Sequence, residues 1–387
     1  MNNTPELLSP AGDLDKMRFG IAYGADAVYM AGTRFGMRAA ATNFADNALR
    51  EGIAYAHAHG VKCYITVNIM PSNRDLPALP AYLELLQDAG ADALIIADVG
   101  VLRMARRYAP KVPVHISTQT SILNHEAANY WADEGAERIV LARELSLEEI
   151  AEIRAKTPKE LEIEAFVHGA MCISYSGRCL ISQYMTGRDA NHGACAQPCR
   201  WNYSLMEEKR PGQFFPVEED GRGTYLYNSK DMCMIEHVPE LIEAGITSFK
   251  IEGRNKTAYY AACVTGAYRA AIDTYKKDPE NFVLPQFCRD EVNKVSHREY
   301  YTGFYFGNQE NGQHYGDSQY IREYEVVGMP VECDDSGKAV FALKNRFFDG
   351  EELELIQPGQ APYVFRAENV TDDEGTEREL FNVPENY

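Results

Sequence analysis

Apolar and polar positions follow two different textures along this chain. Over the first 275 residues, short apolar runs recur, each preceded by a helix-like stretch and a small-residue stop. Gly24-Ala25-Asp26 precedes Ala27-Val28-Tyr29-Met30, and Gly90-Ala91-Asp92 precedes Ala93-Leu94-Ile95-Ile96. Gly135-Ala136-Glu137 precedes Arg138-Ile139-Val140-Leu141, and Gly245 precedes Ser248-Phe249-Lys250-Ile251. Each glycine stands where a helix C-cap needs a left-handed residue, and each run is apolar on both faces, as a strand buried under helices must be. Leu7-Leu8, Cys63 to Val67, Val114 to Ser117 and Ile163 to Val167 bring the number of such runs to eight. Eight strands with intervening helices predict an α/β fold of the (β/α)8 TIM-barrel type rather than an open doubly wound sheet. No G-x-G-x-x-G follows the first strand.

From Ile321 onward the texture changes to short alternating runs separated by Gly, Asp and Pro, such as Ala339 to Leu343, Glu352 to Ile356 and Tyr363 to Phe365. That pattern predicts a small all-β barrel or sandwich. The division expected is therefore a catalytic barrel over residues 1–310 and an acidic β-domain over 311–387. Residues 321–387 carry 16 acidic and 6 basic side chains, −10 of the chain's formal −19. So acidic a chain is not built to coat nucleic acid wholesale, although a local basic cleft stays open to it. No run of about 18 apolar residues predicts a membrane span, and Met1 to Lys16 lacks the pattern of a secretory signal. The expected compartment is the cytoplasm, which keeps thiols reduced and turns clustered cysteines into candidates for metal binding or catalysis.

In a barrel of this kind the chemistry sits just beyond the strand C-termini. That rule selects Ser9 to Asp13, Gly32, Asn68, Asp98, Ser117 to Thr120, Arg143, His168 with Gly169, and Glu252 with Arg254. Asp13 and Asp98 read most simply as helix caps. Arg143, His168, Glu252 and Arg254 are the stronger candidates, because charge at a barrel mouth is costly unless used. The seventh connection, about residues 170–247, is far longer than a βα unit needs and carries Cys172, Cys179, Cys195, Cys199 and Cys233 as C-x6-C-x15-C-x3-C-x33-C. Thiolates so grouped suit an iron–sulfur cluster or zinc, and the wide gaps suit one long enclosing loop better than a zinc ribbon. Cys63, Cys263, Cys288 and Cys333 are scattered and read as structural.

The stretch Glu164-Ala-Phe-Val-His-Gly-Ala-Met-Cys172 through Ser176-Gly-Arg-Cys179-Leu-Ile-Ser182 resembles, position for position, the signature of the U32 peptidase family. Leu8 to Gly12, Tyr184 to Arg188, Cys195 to Trp201, Asn228 to Asp231, Lys250 to Arg254 and Tyr301 to Gly307 resemble the same family. Proteolysis finds little support in the residues: His125-Glu126 has Asn129 where a zincin needs its second His, and no G-x-S-x-G elbow occurs. A Cys172/His168 nucleophile pair would leave the other loop cysteines unexplained.

Around Tyr184 to Trp201 the sequence is most similar to the branch of prephenate-dependent hydroxylases that form 5-hydroxyuridine at position 34 of tRNA. The resemblance implies an iron–sulfur cluster, of the 4Fe-4S type, on Cys172, Cys179, Cys195 and Cys199, with Cys233 as a possible substitute ligand. It also implies prephenate in place of O2 as the hydroxyl source. The remaining readings are a U32-type peptidase and a metalloprotein, iron–sulfur or zinc, acting on ribosomal RNA or a small molecule. Two features bear on RNA and prephenate. Residues 178–210 hold five basic and three acidic side chains interleaved with Tyr184, Trp201 and Tyr203, as an anticodon loop would require. A dicarboxylate calls for arginine, and Arg143 and Arg254 flank the cysteine loop, with Lys250 ranked after them because it lies inside a strand. His168 or Glu252 would then move a proton. No membrane and no stable protein partner are implied.

Overall fold

The computed structural model describes residues 4–37, 42–172, 178–179, 181–200, 205–206, 214–215, 230–307, 320–336, 338–372 and 375–382. Seven parallel strands run in chain order, β1 (Glu6–Pro10), β2 (Ala27–Met30), β3 (Lys62–Val67), β4 (Ala93–Ile96), β5 (Val114–Ile116), β6 (Arg138–Val140) and β7 (Glu162–Ala170). The short strands β8 (Leu205–Met206), β9 (Phe214–Phe215) and β10 (Asp231–Cys233) precede the eighth barrel strand, β11 (Ser248–Ile251). Because β11 pairs in parallel with both β7 and β1, the sheet closes. The eight strands are the eight runs read from the sequence.

Helices α1 (Leu14–Ala22), α2 (Asp46–Ala58), α3 (Leu79–Asp88), α4 (Val99–Tyr108), α5 (His125–Asp133) and α6 (Leu147–Ala155) follow the first six strands. The insertion holds α7 (Ile181–Thr186), α8 (Val238–Glu243) precedes β11, and α9 (Ala258–Lys277) and α10 (Gln286–Lys294) follow it. Local chemistry sets the helix starts. Asp13 Oδ1 accepts the Lys16 N–H at 2.9 Å and Asp98 Oδ1 the Val101 N–H at 3.0 Å, so both aspartates cap as expected. Ser146 and Glu149 form a reciprocal capping box on α6. Outward strand residues such as Leu7, Val28, Ile65, Leu94, Ile139 and Phe249 pack with Met17, Leu49, Leu83 and Leu102 in one continuous core.

The barrel interior is less ordinary. Leu8, Ala27, Tyr29, Tyr64, Ala93 and Ile95 fill one part of it. Beneath them, where such barrels usually stack branched aliphatics, lies an ion network. Arg138, 2% exposed, donates to Glu6 at 2.6 Å, Glu162 at 2.7 Å, Glu164 at 3.1 Å and Ser248 at 3.2 Å. Glu164, fully buried, also accepts from Lys250 Nζ at 2.5 Å. Burial works against each charge, and the partners hold it in place: Arg138 stays firmly protonated through Glu164 and Glu6, while burial lowers the pKa of Lys250 against the pull of Glu164.

Beyond α10, β12 (Tyr300–Tyr301) runs beside β10, which pairs antiparallel with the end of β7. The C-terminal segment then forms three antiparallel pairs: β13 (Gly328–Cys333) with β14 (Ala339–Leu343), β15 (Phe347–Phe348) with β18 (Leu380–Phe381), and β16 (Glu352–Leu355) with β17 (Tyr363–Arg366). Its small core is Phe347, Ala367 and Phe381, with the two rings stacked at 4.8 Å. It meets the barrel flank through Lys294, which bridges Glu291 at 2.9 Å and Glu354 at 2.5 Å, and through the Tyr23 hydroxyl on the Ile356 carbonyl at 3.0 Å. No helix among the described residues is long and apolar enough to cross a membrane.

Candidate active site at the mouth of the barrel

A cleft open to solvent lies at the C-terminal ends of the strands. Its walls are inward positions of successive strands, Tyr29, Thr66, Ile95, Val140, Phe166 and Lys250, and its rim adds Asn68, Ser117, Arg143, Glu252 and Arg254. Three of the four mouth residues singled out from the sequence thus meet in one cleft. Arg143 donates to the Ala170 carbonyl at 2.9 Å and lies over the Phe166 ring at 4.5 Å. Arg254, on the opposite side, donates to the Met37 carbonyl and reaches Thr66 Oγ1 at 3.5 Å, with Tyr29 beneath it at 5.9 Å. The Glu252 backbone is fixed from three directions: its N–H donates to the His168 carbonyl at 2.9 Å, the Tyr260 hydroxyl donates to its carbonyl at 2.9 Å, and Gly169 closes in behind. Gly169 has φ +110°, and a Cβ there would stand 2.5 Å from the Glu252 carbonyl oxygen, so only glycine fits.

Lys250, discounted because it lies within a strand, proves to be the cation at the floor. Its ammonium sits 4.4 Å above the Tyr29 ring and is anchored on Glu164. The alternation Ser248, Lys250, Glu252 against Phe249, Ile251 carried the signal, since period two places the polar set on the inner face. The cleft therefore presents Arg143, Lys250 and Arg254 against Glu252, with Glu164 already paired below. Such a set favours a small anion.

His168 is a correction to the sequence expectation. It does not line the cleft; it is buried on the outer side of β7 among Tyr260, Tyr268 and Tyr300, with ring centroids 5.2 to 5.9 Å away. Its Nε2 lies 3.3 Å from the Tyr300 hydroxyl, and burial pushes its pKa down to about 3, with Lys256 and His297 adding to the effect. Burial thus favours the neutral ring, and from the outer side of β7 it does not reach a ligand in the cleft. The cause is a register shift between β7 and β11: Lys250 pairs with Phe166, but Ile251 pairs with His168. One extra residue in β7 reverses the alternation, and His168 joins the outward set.

Cys172 follows the end of β7, and Cys179, Cys195 and Cys199 lie in the next segment, which is tied to the loops after β3 and β5. Asn191 clasps Cys179 through both main-chain groups, at 3.3 and 3.0 Å, and its own carbonyl accepts the Met70 N–H at 3.1 Å. His192 joins Asp189 at 2.7 Å to Asp75 at 3.4 Å, tying the same segment to the loop after β3. Arg178 donates to the Gln119 carbonyl at 2.7 Å. Cys195 Sγ accepts the Gln197 N–H at 3.4 Å.

All nine cysteines are thiols rather than disulfides. As a donor set, four loop thiols fit a soft metal centre; among the described residues, however, no three His, Cys, Asp or Glu side chains are gathered at ligating distance. Cys233 stands apart in β10, opposite His168, and burial pushes its thiol up to about 12. Trp201, Tyr203, Lys209, Arg210, Asn228 and Ser229 lie outside the described residues.

The family model described as Peptidase family U32 matches residues 12–315, and that described as Peptidase family U32 C-terminal domain matches residues 322–386. tRNA hydroxylation protein P1 of Bacillus subtilis (strain 168) is 40% identical over 382 residues, which cover 98% of this chain and 90% of that protein. tRNA hydroxylation protein P of Escherichia coli (strain K12) is 37% identical over 419 residues, 96% of this chain and 90% of that one. The 23S rRNA 5-hydroxycytidine C2501 synthase of the same bacterium is 40% identical over 332 residues, 84% of this chain and 48% of that one. On the extent of these matches, the chain belongs to peptidase family U32.

Proposed function

We propose that this protein is an oxygen-independent RNA hydroxylase that forms 5-hydroxyuridine at position 34 of tRNA, taking the hydroxyl group from prephenate, whose carbon frame gains a hydrogen in its place and so takes up the two electrons that uridine loses. The observation that carries the reading is the cationic cleft at the barrel mouth, where Arg143, Lys250 and Arg254 converge, with Arg143 on the Ala170 carbonyl two residues before Cys172. Relatives named for tRNA and ribosomal RNA hydroxylation support RNA as the substrate class. A dicarboxylate held between Arg143 and Arg254 has its ring against Tyr29 and Phe166, and Glu252 is the carboxylate placed to accept a proton from it. Lys250 supplies a fixed positive charge under the pocket at no further cost in solvation, because Glu164 already compensates it.

Cys172, Cys179, Cys195 and Cys199 would hold the iron–sulfur cluster, in the 4Fe-4S form, and zinc is the alternative the same donors admit. When bound, such a cluster supplies one-electron chemistry next to the cleft. The chain's own part is to bring the thiols there: Arg143 fixes the Ala170 carbonyl two residues before Cys172, and Asn191 fixes Cys179.

The test is mass spectrometry of tRNA nucleosides from cells lacking the gene and complemented with wild type or Cys172→Ala. Wild type is expected to restore 5-hydroxyuridine derivatives and the variant to leave them absent. A profile unchanged by the deletion would overturn the assignment to tRNA.

A further inference from the structure

Helix α4 departs from the charge pattern of the rest of the chain. Acidic residues outnumber basic ones 57 to 38 overall, yet residues 99–111, Val-Gly-Val-Leu-Arg-Met-Ala-Arg-Arg-Tyr-Ala-Pro-Lys, hold four basic residues and no acidic one. Every other described helix of nine or more residues contains at least one Asp or Glu. Arg103, Arg106, Arg107 and Lys111 are all exposed, while Val101, Leu102 and Ala105 are buried against the barrel. Only Arg106 has a carboxylate partner, Glu134 at 2.9 Å; among the described residues Arg103, Arg107 and Lys111 form no ion pair.

The helix dipole accounts for cations in the last turn, which holds Arg106 and Arg107. It does not account for Arg103 in the middle, for Lys111 beyond the end, or for a first turn without an acid. Arg103 and Arg107 are i, i+4 neighbours on one face, about 6 Å apart along the axis at 1.5 Å per residue. The face also has a definite place. Ile95 of β4 lines the cleft, and Asp98 caps the start of α4 three residues later, so the helix begins at the rim and descends from it. Unpaired, exposed cations at such spacing, held rigid on a helix, are what a polyanion backbone contacts.

We propose that this face of α4 seats backbone phosphates of the substrate RNA along the flank of the barrel, at a distance from the nucleotide offered to the cleft. The assignment rests on the RNA-hydroxylase reading and adds to it the surface that carries the electrostatic part of binding.

The test is the salt dependence of affinity for an unmodified tRNA transcript, measured for wild type and for Arg103→Gln/Arg107→Gln/Lys111→Gln. Loss of three phosphate contacts makes the log–log slope shallower by about 2 to 3, at roughly 0.7 to 0.9 per contact. KM for the transcript is expected to rise at least tenfold with kcat retained, since none of the three residues touches the cleft. Arg103→Lys/Arg107→Lys keeps the wild-type slope, because a phosphate takes either cation. A triple variant with wild-type slope and affinity overturns the assignment, while hydroxylation by wild type in the same experiment leaves the functional reading standing. A wild type whose affinity for the transcript shows no salt dependence overturns both.

Discussion

Glu164→Ala is expected to cost about 3–5 kcal/mol of stability, the penalty for leaving buried charges without their partner. Glu164 is fully buried and accepts from two cations at once, Lys250 at 2.5 Å and Arg138 at 3.1 Å. Arg138 keeps Glu6 and Glu162, but the nearly buried Lys250 loses its carboxylate partner. Denaturant unfolding measures the effect, and a loss below about 1 kcal/mol would show that the network is not the anchor described here. The double variant Glu164→Leu/Lys250→Met should recover most of the loss, because a hydrophobic pair of similar volume removes both charges together. Its activity should still be low, since the fixed charge under the cleft is gone.

The second large effect is on turnover. Arg254→Gln is expected to lower kcat/KM for the dianion by about 2–5 kcal/mol, on the order of 30- to several-thousand-fold. Arg254 is 4% exposed and its guanidinium is held between Met37 and Thr66, so glutamine cannot bring charge to the same place. Arg143→Gln should do the same and also loosen the loop, because its side chain holds the Ala170 carbonyl. Initial rates against dianion concentration at saturating RNA check both variants. A KM and kcat within twofold of wild type for Arg254→Gln would remove the arginine pair from the site.

Much of this architecture was legible in the sequence because the punctuation was local. Gly24, Gly90, Gly135 and Gly245 adopt positive φ at helix ends, and each is followed within a few residues by a barrel strand. The mouth residues Arg143, Glu252 and Arg254 followed from strand ends alone. Lys250 ranks low by the general scarcity of charge inside strands, although alternation places it inward. The ion layer of Arg138, Glu6 and Glu164 was not anticipated, because its members are distant in sequence and each looked like an ordinary strand-end charge. His168 was misplaced for a different reason: the register shift opposite Ile251 is a property of two paired strands, and neither strand shows it by itself. The clasp on Cys179 by Asn191, and the link from His192 to Asp75, likewise join segments that no spacing rule connects.

The claim at the centre of this account is that the cationic cleft takes a hydroxyl donor other than O2 and passes the oxygen to RNA. Its most direct test is an anaerobic reaction of the purified protein with unmodified tRNA and prephenate labelled with ¹⁸O at its hydroxyl group. The expected product is a labelled 5-hydroxyuridine, formed only when prephenate is present and lost in Arg254→Gln. Hydroxylated uridine that appears only when O2 is admitted, or that forms anaerobically without the label, would contradict it.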